Sequence, residues 1–251
     1  MSVYSIPPLA GAIFSTLIGL FVLSRNWRSQ THLSFFLFCL TVFVWLFGYT
    51  VVYSLVDQNL AVFFCRVACA GACFTAPAFY HFSVAFLRLQ KDWKFVWLSY
   101  ATMGVIAPFS LVSPLFLSGA WQYYWGYYSK AGLLHPVYLV IFFGIFGRGF
   151  YVLYNAIRKG GYTPVRKLQL RYVFLAYVVA LIGAIDYIPK YGLEFYPFGF
   201  IFEILFLIIV AYAIVRYRLM DIQVAITRGA IFAGVYALVL GIPFGLAFIG
   251  K

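Results

Sequence analysis

The sequence predicts an all-α fold, a polytopic bundle of transmembrane helices with the N-terminus outside, and three observations carry that prediction. Apolar runs of about 20 residues recur along the chain, the length a helix needs to cross a hydrocarbon core. Of the 251 residues, 65% are hydrophobic and 10% charged, which leaves too little charged surface for a soluble domain of this length. The formal net charge of +12 is spread over alternate breaks between the runs rather than gathered on one face or tail. That distribution marks membrane topology and argues against a nucleic-acid partner.

The predicted spans are 5–24, 33–55, 61–87, 95–117, 134–157, 170–188, 197–216 and 229–249. They describe a seven-helix sensor bundle over residues 1–228, with its exit segment, and an eighth helix over 229–251. The first run lacks a basic flank before it, so it reads as a retained helix and not a cleaved signal peptide. Pro77 sits near the middle of the third span and predicts a bend; Pro108 and Pro114 interrupt the fourth. No polar stretch between spans reaches the size of a folding unit.

Orientation follows from the basic residues. Arg25 and Arg28 lie in the first loop, and Arg88, Lys91 and Lys94 in the third. Arg158, Lys159, Arg166, Lys167 and Arg171 fall in the fifth, and Arg216, Arg218 and Arg228 in the seventh. The opposite side holds Lys130, Lys190 and Lys251, while Arg66 and Arg148 fall within helices. The odd loops are therefore cytoplasmic.

Ionisable groups at membrane depth are costly, so each is a candidate site. Arg66, Asp186 and Glu203 all fall in the outer half, in spans three, six and seven. They predict either a small polar cavity opening outward or a salt bridge that ties helices without a ligand. Arg148 lies deeper, with a carboxylate, helix backbone or the inner interface as its alternatives. The outside loop 119–133 is rich in rings, including Trp121, Tyr124, Trp125 and Tyr128. It reads as an interfacial aromatic belt or as a lid over a ligand pocket.

Cys39, Cys65, Cys69 and Cys73 lie in apolar segments, outside any secreted disulfide framework. Cys65, Cys69 and Cys73 recur every four residues beside Ala68, Ala70, Gly71 and Ala72, a close-packed helix face, with Cu(I) binding as the alternative. His32 and His81 are the one pair whose depths would let them clamp a haem, against packing roles for each. Walker, HExxH and Ser–His–Asp patterns are missing, and helix seven lacks the lysine a retinal Schiff base needs. No catalytic residue, metal or cofactor is expected.

Three segments carry a family resemblance. They are Trp125–Gly132 (WGYYSKAG), Tyr187–Gly199 (YIPKYGLEFYPFG) and Tyr212–Ile222 (YAIVRYRLMDI), supported by Arg66 and Pro77–Phe82 (PAFYHF) in helix three. With these the chain resembles the N-terminal seven-transmembrane sensor region of bacterial histidine kinases, to about residue 228. The resemblance implies a non-catalytic membrane receptor module of a two-component signal transduction system, located in the bacterial cytoplasmic membrane. It also implies a kinase output domain in cis or in trans and assembly as a homodimer. Arg216, Tyr217, Arg218 and Asp221 then form the transmission segment, held at the anionic leaflet, with an ordinary cytoplasmic loop obeying the charge rule as the alternative. No dimerisation, phosphoacceptor or ATP-binding domain follows, so the sequence reads as a fragment or as a sensor-only version. The ligand is expected to be small, and an aromatic outer pocket would suit a hydrophobic or lipid-like signal. The alternative function is a small transporter or channel, a class that often shows inverted repeats, of which none is visible here.

Overall fold

The computed structural model describes residues 2–217. Arg218, Asp221 and the predicted eighth helix lie outside the described residues. Among the described residues, eight α-helices run in the order α1 (Ile6–Arg25), α2 (Gln30–Val52), α3 (Gln58–Cys73), α4 (Thr75–Leu87), α5 (Trp93–Val112), α6 (His135–Lys159), α7 (Pro164–Ile182) and α8 (Gly199–Tyr217). A hairpin, β1 (Leu117–Tyr123) and β2 (Gly126–Ala131), separates α5 from α6, and a 3₁₀ helix, Gly183–Tyr191, continues α7. Among the described residues, six helical stretches are long and apolar enough to cross a membrane, and the shorter apolar stretch Gly199–Ile214 lies within α8.

The third span is one membrane crossing made of two helices. α3 ends at Cys73 and α4 starts at Thr75, with Phe74 shared as cap. Pro77 explains the break: it has no N–H to return to Cys73, and its ring crowds that carbonyl. The interruption therefore falls just before the proline. Pro108 stays inside α5 without ending it, whereas Ser113 is extended, as the residue before Pro114 should be. The fourth span consequently stops at Val112, short of the predicted residue 117.

Two further boundaries differ from expectation. α7 begins at Pro164, so Arg166, Lys167 and Arg171 are helical rather than loop residues. The Thr163 side chain caps that start by accepting a bond from the Arg166 N–H at 3.3 Å. At its other end the span runs past residue 188 as a 3₁₀ helix, taking Asp186 and Lys190 with it.

The connections sort into two ends. At the hairpin end, β2 packs on the 3₁₀ helix, α2 and α3. At the other, the starts of α2 and α7 meet the end of α4. The second is a basic end, with Arg28, Arg88, Lys91, Lys159, Lys167 and Arg216 in or beside its connections. Between the ends, α2 packs on α1, α3 and α4, α4 on α6, and α8 on both α7 and α1. The middle of the bundle is aromatic: Tyr177 of α7 meets Phe79 at 3.9 Å, Phe206 at 4.9 Å and Phe38 at 5.5 Å between ring centres. Where rings do not fill the space, backbones close in. A Cβ on Gly48 would meet that of Ala68 at 2.7 Å, and one on Gly71 would meet Val44 at 2.6 Å, so α2 and α3 approach through small residues.

Candidate functional site

The aromatic loop is a β-hairpin, which the loop reading of residues 119–133 did not foresee. Trp121 pairs with Tyr128 and Gln122 with Tyr127 across the strands, and Tyr123 faces Gly126 at the turn. Ring residues favour a pleated, half-buried surface. Gly126 adopts φ +129° and lies against the backbone of Tyr53, a conformation and an approach that a side chain would obstruct.

A lone two-stranded hairpin is marginal, and this one is pinned by its ring polar groups. Tyr128 donates to the Asp186 carbonyl at 2.7 Å, Tyr123 to that of Pro189 at 2.8 Å and Trp121 to that of Lys190 at 3.1 Å. Three hairpin side chains thus satisfy three consecutive-turn carbonyls of a 3₁₀ helix, whose own hydrogen bonding is poorer than that of an α-helix. Burial pushes the Tyr128 phenol well above its ordinary pKa, so it stays a donor over the physiological range. Tyr49 of α2 stacks on Tyr128 at 4.7 Å and bonds Ser129 at 2.6 Å, tying the hairpin to α2 as well.

Beneath the hairpin lies a cavity of about 50 Å³. Its polar lining includes Asp186 and Lys190 of the 3₁₀ helix, Glu203 of α8 and Tyr128; Phe142 and Phe146 of α6 line its apolar side. All three charged residues are buried. One Asp186 oxygen accepts the Gly199 N–H at 2.8 Å. Lys190 Nζ lies 3.1 Å from Cys69 Sγ and 5.0 Å from the centre of the Tyr187 ring. One Glu203 oxygen is buried without a hydrogen-bond partner among the described residues. The cation and the two carboxyl groups share the cavity, with no direct ion pair between them among the described residues. Such a lining offers hydrogen-bonding and charged groups beside an apolar wall.

Of the seven residues expected at a ligand site, Asp186, Glu203 and Tyr128 line this cavity. Trp121 and Trp125 form the layer above it. Trp125 is fully buried against Tyr123, Tyr124 and Tyr196. Tyr124 is 65% exposed and packs on Tyr4 from outside. Arg66 is not in the cluster: it turns to α5 and donates to the Leu111 carbonyl at 3.3 Å. The expected grouping of Arg66 with the two acids is therefore corrected, and Lys190 supplies the cation. Hydropathy ends the span at residue 188 and leaves Lys190 in a loop, whereas the 3₁₀ helix carries it on to Tyr191; its spacing of four from Asp186 is the available signal. Arg148 takes the carboxylate among its alternatives, pairing with Asp92 at 2.6 Å.

The segment expected to carry transmission is described as far as Tyr217. Arg216 is exposed. The Tyr217 ring packs on Tyr172 at 5.0 Å, and its carbonyl accepts from Gln169 of α7 at 2.9 Å. No group of three or more metal-ligating side chains is gathered among the described residues.

Neither the curated proteins nor the solved structures yield a match. The family model described as the N-terminal 7TM region of histidine kinase matches residues 7–223. That match runs from the first turn of α1 through α8 and takes in the hairpin and the charged cavity. This multi-pass chain, with its apolar helices and its cavity under an aromatic hairpin, belongs to the family of N-terminal seven-transmembrane sensor regions of histidine kinases.

Proposed function

We propose that the chain is the non-catalytic receptor module of a histidine-kinase signalling system in a bacterial cytoplasmic membrane, with the hairpin end outside. The cavity lined by Asp186, Lys190, Glu203 and Tyr128 is its sensing site. One observation carries this reading: a cation and two carboxyl groups are buried around one small cavity without being spent on each other. A charge set kept at membrane depth for structure alone would be expected to close into a direct pair.

The size of the cavity bounds the ligand. At about 50 Å³ it holds roughly three or four water-sized groups. The occupant that fits without moving the walls is a solute of a few heavy atoms, with a polar head toward the charges and an apolar part toward Phe142 and Phe146.

A ligand acts only through unequal affinity for two helix arrangements. Glu203 and Tyr217 belong to the same helix, α8, and are separated by roughly 20 Å along its axis. A shift at Glu203 therefore reaches the Gln169–Tyr217 contact as a rigid displacement. The segment Arg216, Tyr217, Arg218 and Asp221 passes it to a kinase domain, in cis or in trans, within a homodimer.

The test is a thermal-shift panel of small ammonium and carboxylate solutes on the purified protein. A solute that stabilises the wild type is expected to lose its effect in Glu203→Gln and Lys190→Met and to keep it in Arg66→Ala. Equal stabilisation in all four proteins would remove the cavity as the binding site. Substrate-specific counterflow in proteoliposomes would instead support the transporter reading.

A further inference from the structure

Helices α5 and α6 follow one another along the chain but rest on different neighbours, α5 on α3 and α4, and α6 on α4 and α7. Of the six membrane-length stretches among the described residues, theirs are the least buried. A groove of about 250 Å³ opens between them, with Phe95, Leu98, Ile141, Gly144 and Ile145 along its walls and Arg148 in its lining. The hydroxyls in that lining are already committed. Ser99 donates to the Val96 carbonyl at 2.7 Å, Thr102 to that of Leu98 at 2.9 Å, and Tyr80 to Asp92 at 3.0 Å. The body of the groove is therefore apolar and has no hydroxyl donor to spare. Gly144 keeps one wall bare, since a Cβ there would meet nothing within 4 Å.

One end of the groove is charged. Two cations converge there on the Phe95 ring, the Arg148 guanidinium at 5.0 Å and Lys94 Nζ at 5.1 Å from its centre. Asp92 pairs with Arg148 at 2.6 Å, yet leaves that side chain 43% exposed. Lys94 is exposed and makes no ion pair among the described residues. The cluster of Lys94, Arg148 and Asp92 thus keeps one positive charge in excess. Trp97 of α5 and Tyr151 and Tyr154 of α6 are exposed at the same end, and rings of these types mark the headgroup level of a bilayer.

We infer that the α5–α6 groove holds an anionic phospholipid, with one acyl chain along Leu98, Ile141 and Gly144 and the phosphate on Lys94 and the exposed side of Arg148. The occupant is an amphiphile because the groove is one, charged at headgroup level and apolar beyond it. Acyl chains are as apolar as the groove, so chain contact contributes packing rather than transfer from water. Selectivity among lipids comes from the headgroup, where basic side chains between helices attract an anionic phosphate.

The experiment is native mass spectrometry of the delipidated, purified chain titrated with phosphatidylglycerol or with phosphatidylcholine. Phosphatidylglycerol is expected to be retained in preference, and Lys94→Gln to weaken it about five-fold, the contribution of one basic residue at an anionic headgroup. Gly144→Leu, which fills the groove from a position with free space around it, should weaken both lipids. Lys159→Gln, exposed at the same end but outside the groove, should leave both unchanged. Equal retention of the two lipids by the wild type would overturn the proposal, as would full phosphatidylglycerol binding in Gly144→Leu. An unchanged affinity in Lys94→Gln, a change on an exposed side chain that keeps the fold, would overturn it too. A dimer that becomes a monomer in Gly144→Leu with lipid binding intact would instead assign the groove to a second copy of the chain and end the lipid reading.

Discussion

Gly199→Ala probes the junction between the charged 3₁₀ helix and α8 at a single atom. Gly199 has an ordinary backbone conformation, but a Cβ there would overlap the Asp186 carboxyl group, with Asp186 Cγ 2.6 Å away. Its N–H is also the donor held by Asp186 Oδ1 at 2.8 Å. The methyl group has backbone on one side and a buried carboxyl group on the other, so Asp186 must move. Forcing one extra carbon into a packed site costs about 1–3 kcal/mol, and disturbing a hydrogen bond to a buried carboxyl group adds about 1–2 kcal/mol. The expected loss is about 2–5 kcal/mol, or a melting temperature lower by roughly 4–20 °C for a chain of this size. Gly144→Ala is the matched control, since nothing lies within 4 Å of a Cβ there and alanine is the better helix former by up to about 1 kcal/mol. The four cysteines are all buried, so a thiol-reactive fluorophore reports unfolding of both variants in detergent. Equal melting of Gly199→Ala and Gly144→Ala would refute the claim that Asp186 is held by close contact with the start of α8.

Four other outcomes follow from the same geometry. Tyr128→Phe should destabilise by about 1–2 kcal/mol through the Asp186 carbonyl left without its donor, whereas Tyr124→Phe, on an exposed ring, should melt like wild type. Because the raised Tyr128 pKa means its contribution is complete below pH about 10 and is lost as pH rises further, Tyr128→Phe should also flatten the alkaline fall in stability; an unchanged alkaline profile would contradict this. Asp92→Asn should cost no more than about 1 kcal/mol, since its partner Arg148 is 43% exposed, and a larger loss in a chemical-denaturation series would show that this pair is buried in lipid. Gln122→Cys at the exposed hairpin edge should react with a membrane-impermeant maleimide on intact cells while Lys159→Cys does not, and the reverse pattern would invert the proposed orientation.

Much of the helical architecture was legible because bilayer length and apolar composition set it directly. What escaped depended on contacts between distant segments. The hairpin is a set of rings that alternation alone does not separate from an interfacial belt; its strands exist because the carbonyls of Asp186, Pro189 and Lys190 are there to receive Tyr128, Tyr123 and Trp121. The site was half legible for a similar reason. Asp186 and Glu203 announce themselves as acids at membrane depth, and both reach the cavity. Arg66 announces itself equally, yet helix rotation turns it toward Leu111, and a depth estimate carries no information about rotation. Lys190 was hidden by a span boundary, since the 3₁₀ continuation of α7 has no hydropathy signature of its own.

The coupling of the charged cavity to the end of α8 is tested most directly by hydrogen–deuterium exchange on the intact protein, comparing wild type, Glu203→Gln and Glu194→Gln. The account predicts that Glu203→Gln alters exchange in the last turns of α8 and the facing start of α7, around Tyr217 and Gln169, while Glu194→Gln leaves both segments as in wild type. A change confined to the first two turns of α8 would contradict it, leaving the cavity as a local feature without a path to the output.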